Sequence, residues 1–216
     1  MLTLHRATVL LASPTAPPVS DGAVLVRGDR VAALGRYEEL AAAHPEARVR
    51  AWEGTLTPGR AHPYGGLLLE RCYHPDPREE LGEDPLAPPR ELTDADWGAS
   101  ARRGLQRLLA HGTTALAGPF ERAAVRTAVS RSGLLVVPPI TGVTGIGAAS
   151  TGSDRFVAEL MIGPAAFAMS VPHGALTPGG RADFAVFEGA PEPAEDPSHQ
   201  ACAATVLAGR LLHRRR

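Results

Sequence analysis

Strand-like patterning in this sequence is confined to its two ends, and the stretch between them alternates helical and extended periods. That segregation points to a fold in which both termini build one β-module around a separate α/β layer. At the start, Leu2 to Leu11 is rich in β-branched and aliphatic residues. Ser13-Pro-Thr-Ala-Pro-Pro18 interrupts it, and Gly22-Ala-Val-Leu-Val-Arg27 resumes the pattern as a hairpin. Gly28-Asp29 then predicts a tight turn into Arg30-Val-Ala-Ala-Leu-Gly35. Tyr37 to His44 reads as a short helix stopped by Pro45, followed by two short strands, Arg48 to Trp52 and Gly54 to Thr57. At the other end, a turn-rich link from Gly174 to Gly180 leads into a half-buried strand, Ala182-Asp-Phe-Ala-Val-Phe187. The proline- and acid-rich stretch Gly189 to His199 reads as an exposed loop, and Ala203 to His213 as a last hairpin.

The middle has αβαβ order. Thr93-Asp-Ala-Asp96 is a capping-box-like start, after which Trp97, Ala101, Leu105, Leu108 and Leu109 fall on one helical face and His111-Gly112 ends the helix. Thr113 to Ala117 is a short strand. Glu121 to Ser132 is a second helix, ended by Gly133, and Leu134-Leu-Val-Val137 suits a buried parallel strand. The fold class expected is therefore α/β, with residues 1–57 plus 174–216 forming a small composite β-sandwich and residues 58–173 inserted between them.

Composition excludes several functions. Twenty-two basic residues against 23 acidic ones leave a net charge of −1, so no global field draws nucleic acid or an anionic membrane. No apolar run approaches the roughly 20 residues that span a bilayer. Two cysteines, Cys72 and Cys202, do not make a disulfide framework, and with no apolar signal segment a cytoplasmic location is expected. Every basic residue among Lys and Arg is an arginine, a bias that fits a high-GC bacterial genome. The Gly-rich stretch from Thr141 to Gly152 lacks Gly-Lys-Ser/Thr and Gly-x-Gly-x-x-Gly, so it reads as a linker rather than a phosphate loop.

Four segments in order resemble the metal-dependent amidohydrolases of the aminohydrolase type, such as imidazolonepropionase and the cytosine, guanine and aminofutalosine deaminases. They are Asp21 to Gly35, Gly54-Thr-Leu-Thr-Pro-Gly59, His111-Gly-Thr-Thr114, and Gly174 to Phe187 followed by Thr205-Val-Leu-Ala-Gly-Arg210. The resemblance implies a TIM-like (β/α) barrel carried by a β-sandwich, hydrolysis of carbon–nitrogen bonds, and zinc or iron held by a His-x-His pair shortly after the Pro-Gly turn. Counted from Pro58-Gly59, those two positions hold Tyr64 and Gly66, so the family's ligand pair is missing. A (β/α)₈ barrel takes about 250 residues, and about 115 separate Pro58 from His173. A truncated barrel remnant is expected, with no metal and no cofactor.

His62 is the imidazole left near the ligand positions, readable either as a surface or hydrogen-bonded histidine beside Pro63 or as part of a residual pocket with Tyr64 and Asp154. Asp154 also reads as a helix N-cap. The acidic run Asp76, Glu79, Glu80, Glu83 and Asp84 reads as a solvated loop. No Gly-x-Ser-x-Gly elbow or Cys and His pair supplies another nucleophile. Three functions follow: a non-catalytic homologue that binds a small ligand or serves as a partner subunit, an active C–N hydrolase with a rearranged site, or a structural protein. An open half-barrel leaves strand edges to be covered, which predicts a homodimer.

Overall fold

In the computed structural model, residues 1–140, 161–163, 165–189 and 200–215 are described. Asp154, the linker at 141–152 and most of the loop expected at 189–199 lie outside them. The chain divides into two compact units, one of Met1–Arg60, Leu109–Thr114 and Pro172–Arg216, the other of Ala61–Leu108 and Ala115–Val171.

Both termini enter one seven-stranded sheet. Its strands are β1 (Leu2–Leu10), β2 (Val19–Arg27), β3 (Arg30–Arg36), β4 (Arg48–Pro58), β9 (Phe184–Phe187), β10 (Cys202–Leu207) and β11 (Arg210–Arg214), in the spatial order β11-β10-β9-β4-β1-β2-β3. β1 pairs antiparallel with β2 and parallel with β4, and β9 pairs antiparallel with β4 and β10. The short helix α1 (Tyr37–Ala43) follows β3. The sheet curls until its two ends meet: Arg30 bridges to Arg181, and the carbonyl of Gly28 lies against Gly209, where a side chain would not fit.

Alternation along β2 explains its apolar run. Val24 and Val26 face a cluster with Leu10, Val31, Leu56, Phe184, Val186 and Val206 inside the curl. Ala23 and Leu25 face the other way with Leu4, under Tyr37, Leu40 and Ala41. A strand buried on both faces reads as continuous hydrophobicity. β4 corrects one expectation, since it is a single strand of 11 residues rather than two. Gly54 sits within it at φ +144°, with the Phe187 carbonyl occupying the place a side chain would take.

The second sheet has four strands in the order β7-β6-β5-β8, with β5 (Arg60–His62), β6 (Thr113–Ala117), β7 (Leu135–Val137) and β8 (Val171–Pro172). β6 and β7 are parallel, connected by α4 (Ala123–Ser132). α2 (Gly65–Glu70) follows β5, α3 (Asp94–Ala110) precedes β6, and α5 (Ala165–Ala168) precedes β8. The capping box expected for α3 forms: the Thr93 hydroxyl accepts from the Asp96 N–H, and the Asp96 carboxylate accepts from the Thr93 N–H. Trp97, Ala101, Leu105 and Leu108 are buried as their spacing predicts. β7 differs from expectation. Leu135 and Val136 are 39% and 56% exposed, because among the described residues this is an edge strand that pairs with β6 alone.

Candidate functional site

The site predicted from sequence begins where β5 ends. β5 stops at His62, and the chain turns through Pro63 and Tyr64 straight into α2. Gly66, the second ligand position, therefore lies in the first turn of a helix instead of on a strand. A strand would carry residues 64 and 66 on one face, and a helix start does not. Space is also short there, since a Cβ at Gly66 would lie 3.1 Å from the Pro119 carbonyl oxygen, and one at Gly65 would lie 3.0 Å from that of Ala117.

His62 is fully buried, and both ring nitrogens are engaged. The Tyr64 N–H donates to Nδ1 at 3.3 Å, which assigns the proton to Nε2, and Nε2–H donates to the Ala166 carbonyl at 2.8 Å. The imidazole thus ties the end of β5 to α5. Tyr64 stands beside it with ring centroids 6.4 Å apart, its phenol half-buried and its pKa raised by that burial. The hydrogen-bonded reading of His62 is the one the geometry supports. His62 and Tyr64 are brought together, and Asp154 falls outside the described residues.

The residues do not fit the family's zinc or iron. Metal ligation by His62 would require giving up one of its two hydrogen bonds, Gly66 offers no donor atom, and a protonated phenol is a poor ligand. Among the described residues, no group of three or more His, Cys, Asp or Glu side chains is placed to hold a metal ion.

Two buried polar groups in this region escaped the sequence reading. Glu70, at the end of α2, accepts from the N–H groups of Glu121 (3.0 Å) and Arg122 (2.7 Å), so its carboxylate caps the start of α4. His74 is 1% exposed, and its Nε2–H donates to the Leu68 carbonyl at 2.9 Å. Its Nδ1 has no partner among the described residues. Burial, reinforced by the charges of Arg103 and Arg107, lowers its pKa to about 4 even though the Leu68 bond opposes this. Gly104 makes the room, since a Cβ there would lie 2.6 Å from His74 Nε2. The acidic run after His74 is exposed, and it is also ordered by pairing. Asp76 caps a turn of 3₁₀ helix over Pro77–Glu79, Arg103 reaches Asp76 at 3.7 Å, and Arg107 pairs with Glu83. Burial also raises the Cys72 thiol to about 11, which removes it as a nucleophile at neutral pH.

Residues 22–47 match the model of the imidazolonepropionase-like composite domain of bacteria. This stretch runs from within β2 through β3 and α1, inside the curled sheet. This match covers 26 of the 216 residues. No curated protein matches this chain significantly. Among solved structures, it is similar to the ochratoxinase of A. niger, at 17% identity and a TM-score of 0.45, over 72% of this chain and 36% of that one. It is similar to a guanine deaminase from Bradyrhizobium japonicum, at 24% and 0.46, over 74% and 41%. The aminofutalosine deaminase of Helicobacter pylori gives 13% and 0.41, over 74% and 37%. The chain thus spans well under half the length of these solved structures.

Proposed function

We propose that this chain is a metal-free member of the amidohydrolase superfamily that has kept the composite domain and given up hydrolysis, and that it acts as a small-ligand binder or partner subunit. One observation carries the reading. The imidazole closest to the lost ligand pair has both nitrogens committed to backbone groups, at Tyr64 and Ala166. Amidohydrolase chemistry needs a metal to acidify a bound water, and these residues offer that metal no donor set.

The four-stranded sheet supports a truncated barrel. Its order places β5, β6 and β7 side by side in chain order and returns the last strand, β8, next to the first, as in a closed barrel with its middle strands removed. Elemental analysis of the purified protein is expected to find no stoichiometric zinc, iron or manganese. Assays of ammonia release from amidines, purines and pyrimidines, with and without added metal, are expected to be silent. Stoichiometric tight metal, or metal-dependent turnover, overturns the proposal.

A second reading, self-association as a homodimer, is favoured by the exposure of Leu135 and Val136 on the edge strand β7. Light scattering at micromolar concentration is expected to give twice the chain mass, and a monomer mass sinks it.

A further inference from the structure

Where the curled sheet closes on itself, its register sets three arginines side by side. Arg27 stands opposite Arg30 across the β2–β3 hairpin, and Arg30 stands opposite Arg181 on the link that precedes β9. Two bonds flank the second pair, from the Ala182 N–H to the Asp29 carbonyl and from the Val31 N–H to the Gly180 carbonyl. That is the non-hydrogen-bonded kind of antiparallel pair, in which side chains approach most closely. Their chain neighbours Val26, Val31 and Ala182 lie in the cluster inside the curl. Alternation therefore puts Arg27, Arg30 and Arg181 together on the outer face. A fourth arginine, Arg210, follows Gly209, which packs on the carbonyl of Gly28.

Like charges directly opposite each other destabilise a sheet, and carboxylates compensate this row only in part. Asp29 comes within 3.6 Å of Arg30 Nε, and Asp183 within 3.3 Å of Arg181 Nε. The Arg30 and Asp29 side chains are 60% and 62% exposed, so theirs is a surface pair of the kind worth little. Arg27 and Arg210 are exposed and make no ion pair among the described residues. All of these residues belong to the unit that holds both chain ends, and His62 belongs to the other.

We propose that this arginine row binds a chain of linked phosphoryl groups, a di- or triphosphate, laid across the strands. Neighbouring strands are about 4.8 Å apart, so three side chains in a row spread their cations over about 10 Å. Linked phosphates supply several negative charges within that length. Each guanidinium offers a planar fork of N–H donors that matches phosphate oxygens two at a time. A lone carboxylate satisfies one fork and leaves the other cations facing each other. A bound polyanion removes the repulsion that the register imposes, and a local rule broken in this way marks a functional position.

The test is titration calorimetry of the full chain with sodium tripolyphosphate at low salt. One saturable site per chain is expected, weakening as salt is raised. Monophosphate is expected to bind at least about tenfold more weakly. Arg27→Gln and Arg30→Gln are each expected to weaken tripolyphosphate at least about tenfold, while Arg131→Gln, in the last turn of α4, leaves it unchanged. Tripolyphosphate should raise the urea midpoint of the parent chain and not that of Arg27→Gln, a difference that a merely structural role for Arg27 would not produce. Adenosine triphosphate separates the two sources of the phosphate chain: binding at least as tight assigns the site to a nucleotide, weaker binding assigns it to inorganic polyphosphate, and both uphold it. Absence of saturable binding overturns the proposal, as does an affinity indifferent to Arg27→Gln and Arg30→Gln. Equal or tighter binding of a blocked penta-aspartate peptide assigns the row to an acidic protein segment and overturns it too.

Discussion

In the curled terminal sheet, neighbouring residues of β2 reach two different buried clusters, Val24 and Val26 on one side and Ala23 and Leu25 on the other. In the four-stranded sheet, the short parallel strand β7 leaves Leu135 and Val136 open to solvent. Both runs are apolar in sequence, and they differ in what covers them. The terminal sheet draws its cover from its own curl and from α1, and its strands are long enough to fix a register. The second sheet has strands of two, three, three and five residues. The terminal sheet is insulated within itself, whereas the second sheet has short strands and, among the described residues, an uncovered edge.

The contrast breaks first at Phe184. This ring is fully buried in the main cluster of the terminal sheet and meets the His5 ring edge-on at 4.9 Å. Phe184→Ala is expected to cost about 3–5 kcal/mol, the usual range for removing a buried aromatic ring. Urea unfolding gives the value, and a loss under about 1 kcal/mol means that the curl is not closed around this ring.

Acid tests the other region. His74 is held neutral when folded, with a pKa of about 4 against 6.5 in the unfolded chain. Between those two values the unfolded state binds more protons, so stability is full above pH 6.5 and is lost as pH falls through about 4. The loss amounts to about 3 kcal/mol at most. His5, lowered to about 3 chiefly by burial, adds a similar slope from the terminal sheet. The two are separated by comparing urea midpoints at pH 7 and pH 4.5 for His74→Leu and His5→Leu. His74→Leu is expected to flatten the dependence, and an unchanged slope removes the assignment.

Glu70 is the next step down. Its carboxylate is the acceptor for the first N–H groups of α4, so Glu70→Ala leaves two backbone donors without it. The expected cost is about 2 kcal/mol, typical of hydrogen bonds to a charged group. Hydrogen exchange should place the loss in α4 and β7 and leave β1 and β2 protected. A loss spread evenly over both sheets argues against the local cap.

These residues also mark what the sequence could and could not reveal. The β2–β3 hairpin, the helix from Asp94 and the strand from Thr113 follow from alternation, a Gly-Asp turn and a capping box, all of which act within a few residues. Tyr64 and Gly66, which stand where the resembled family carries its His-x-His pair, are legible because identity at a counted position needs no fold. Glu70 and His74 were not visible, because their roles depend on the N–H groups of Glu121 and Arg122, about 50 residues away, and on the space left by Gly104. β7 was misjudged because an apolar run says that a strand can be covered on both faces without saying by what.

The smallest effect sharpens the comparison most. Val136 is more than half exposed on β7, so Val136→Ser removes little buried area, and its effect on stability is expected within about 0.5 kcal/mol in either direction. The same change at Val24, which is fully buried, should cost several times more, since it opens a cavity and buries a hydroxyl. If the β7 edge joins two copies of the chain, Val136→Ser should shift the mass by light scattering toward the monomer while the unfolding midpoint of that monomer stays put. A destabilisation above about 1 kcal/mol in a chain that remains monomeric would mean that β7 is already covered from within, and the two sheets would then differ in strand length alone.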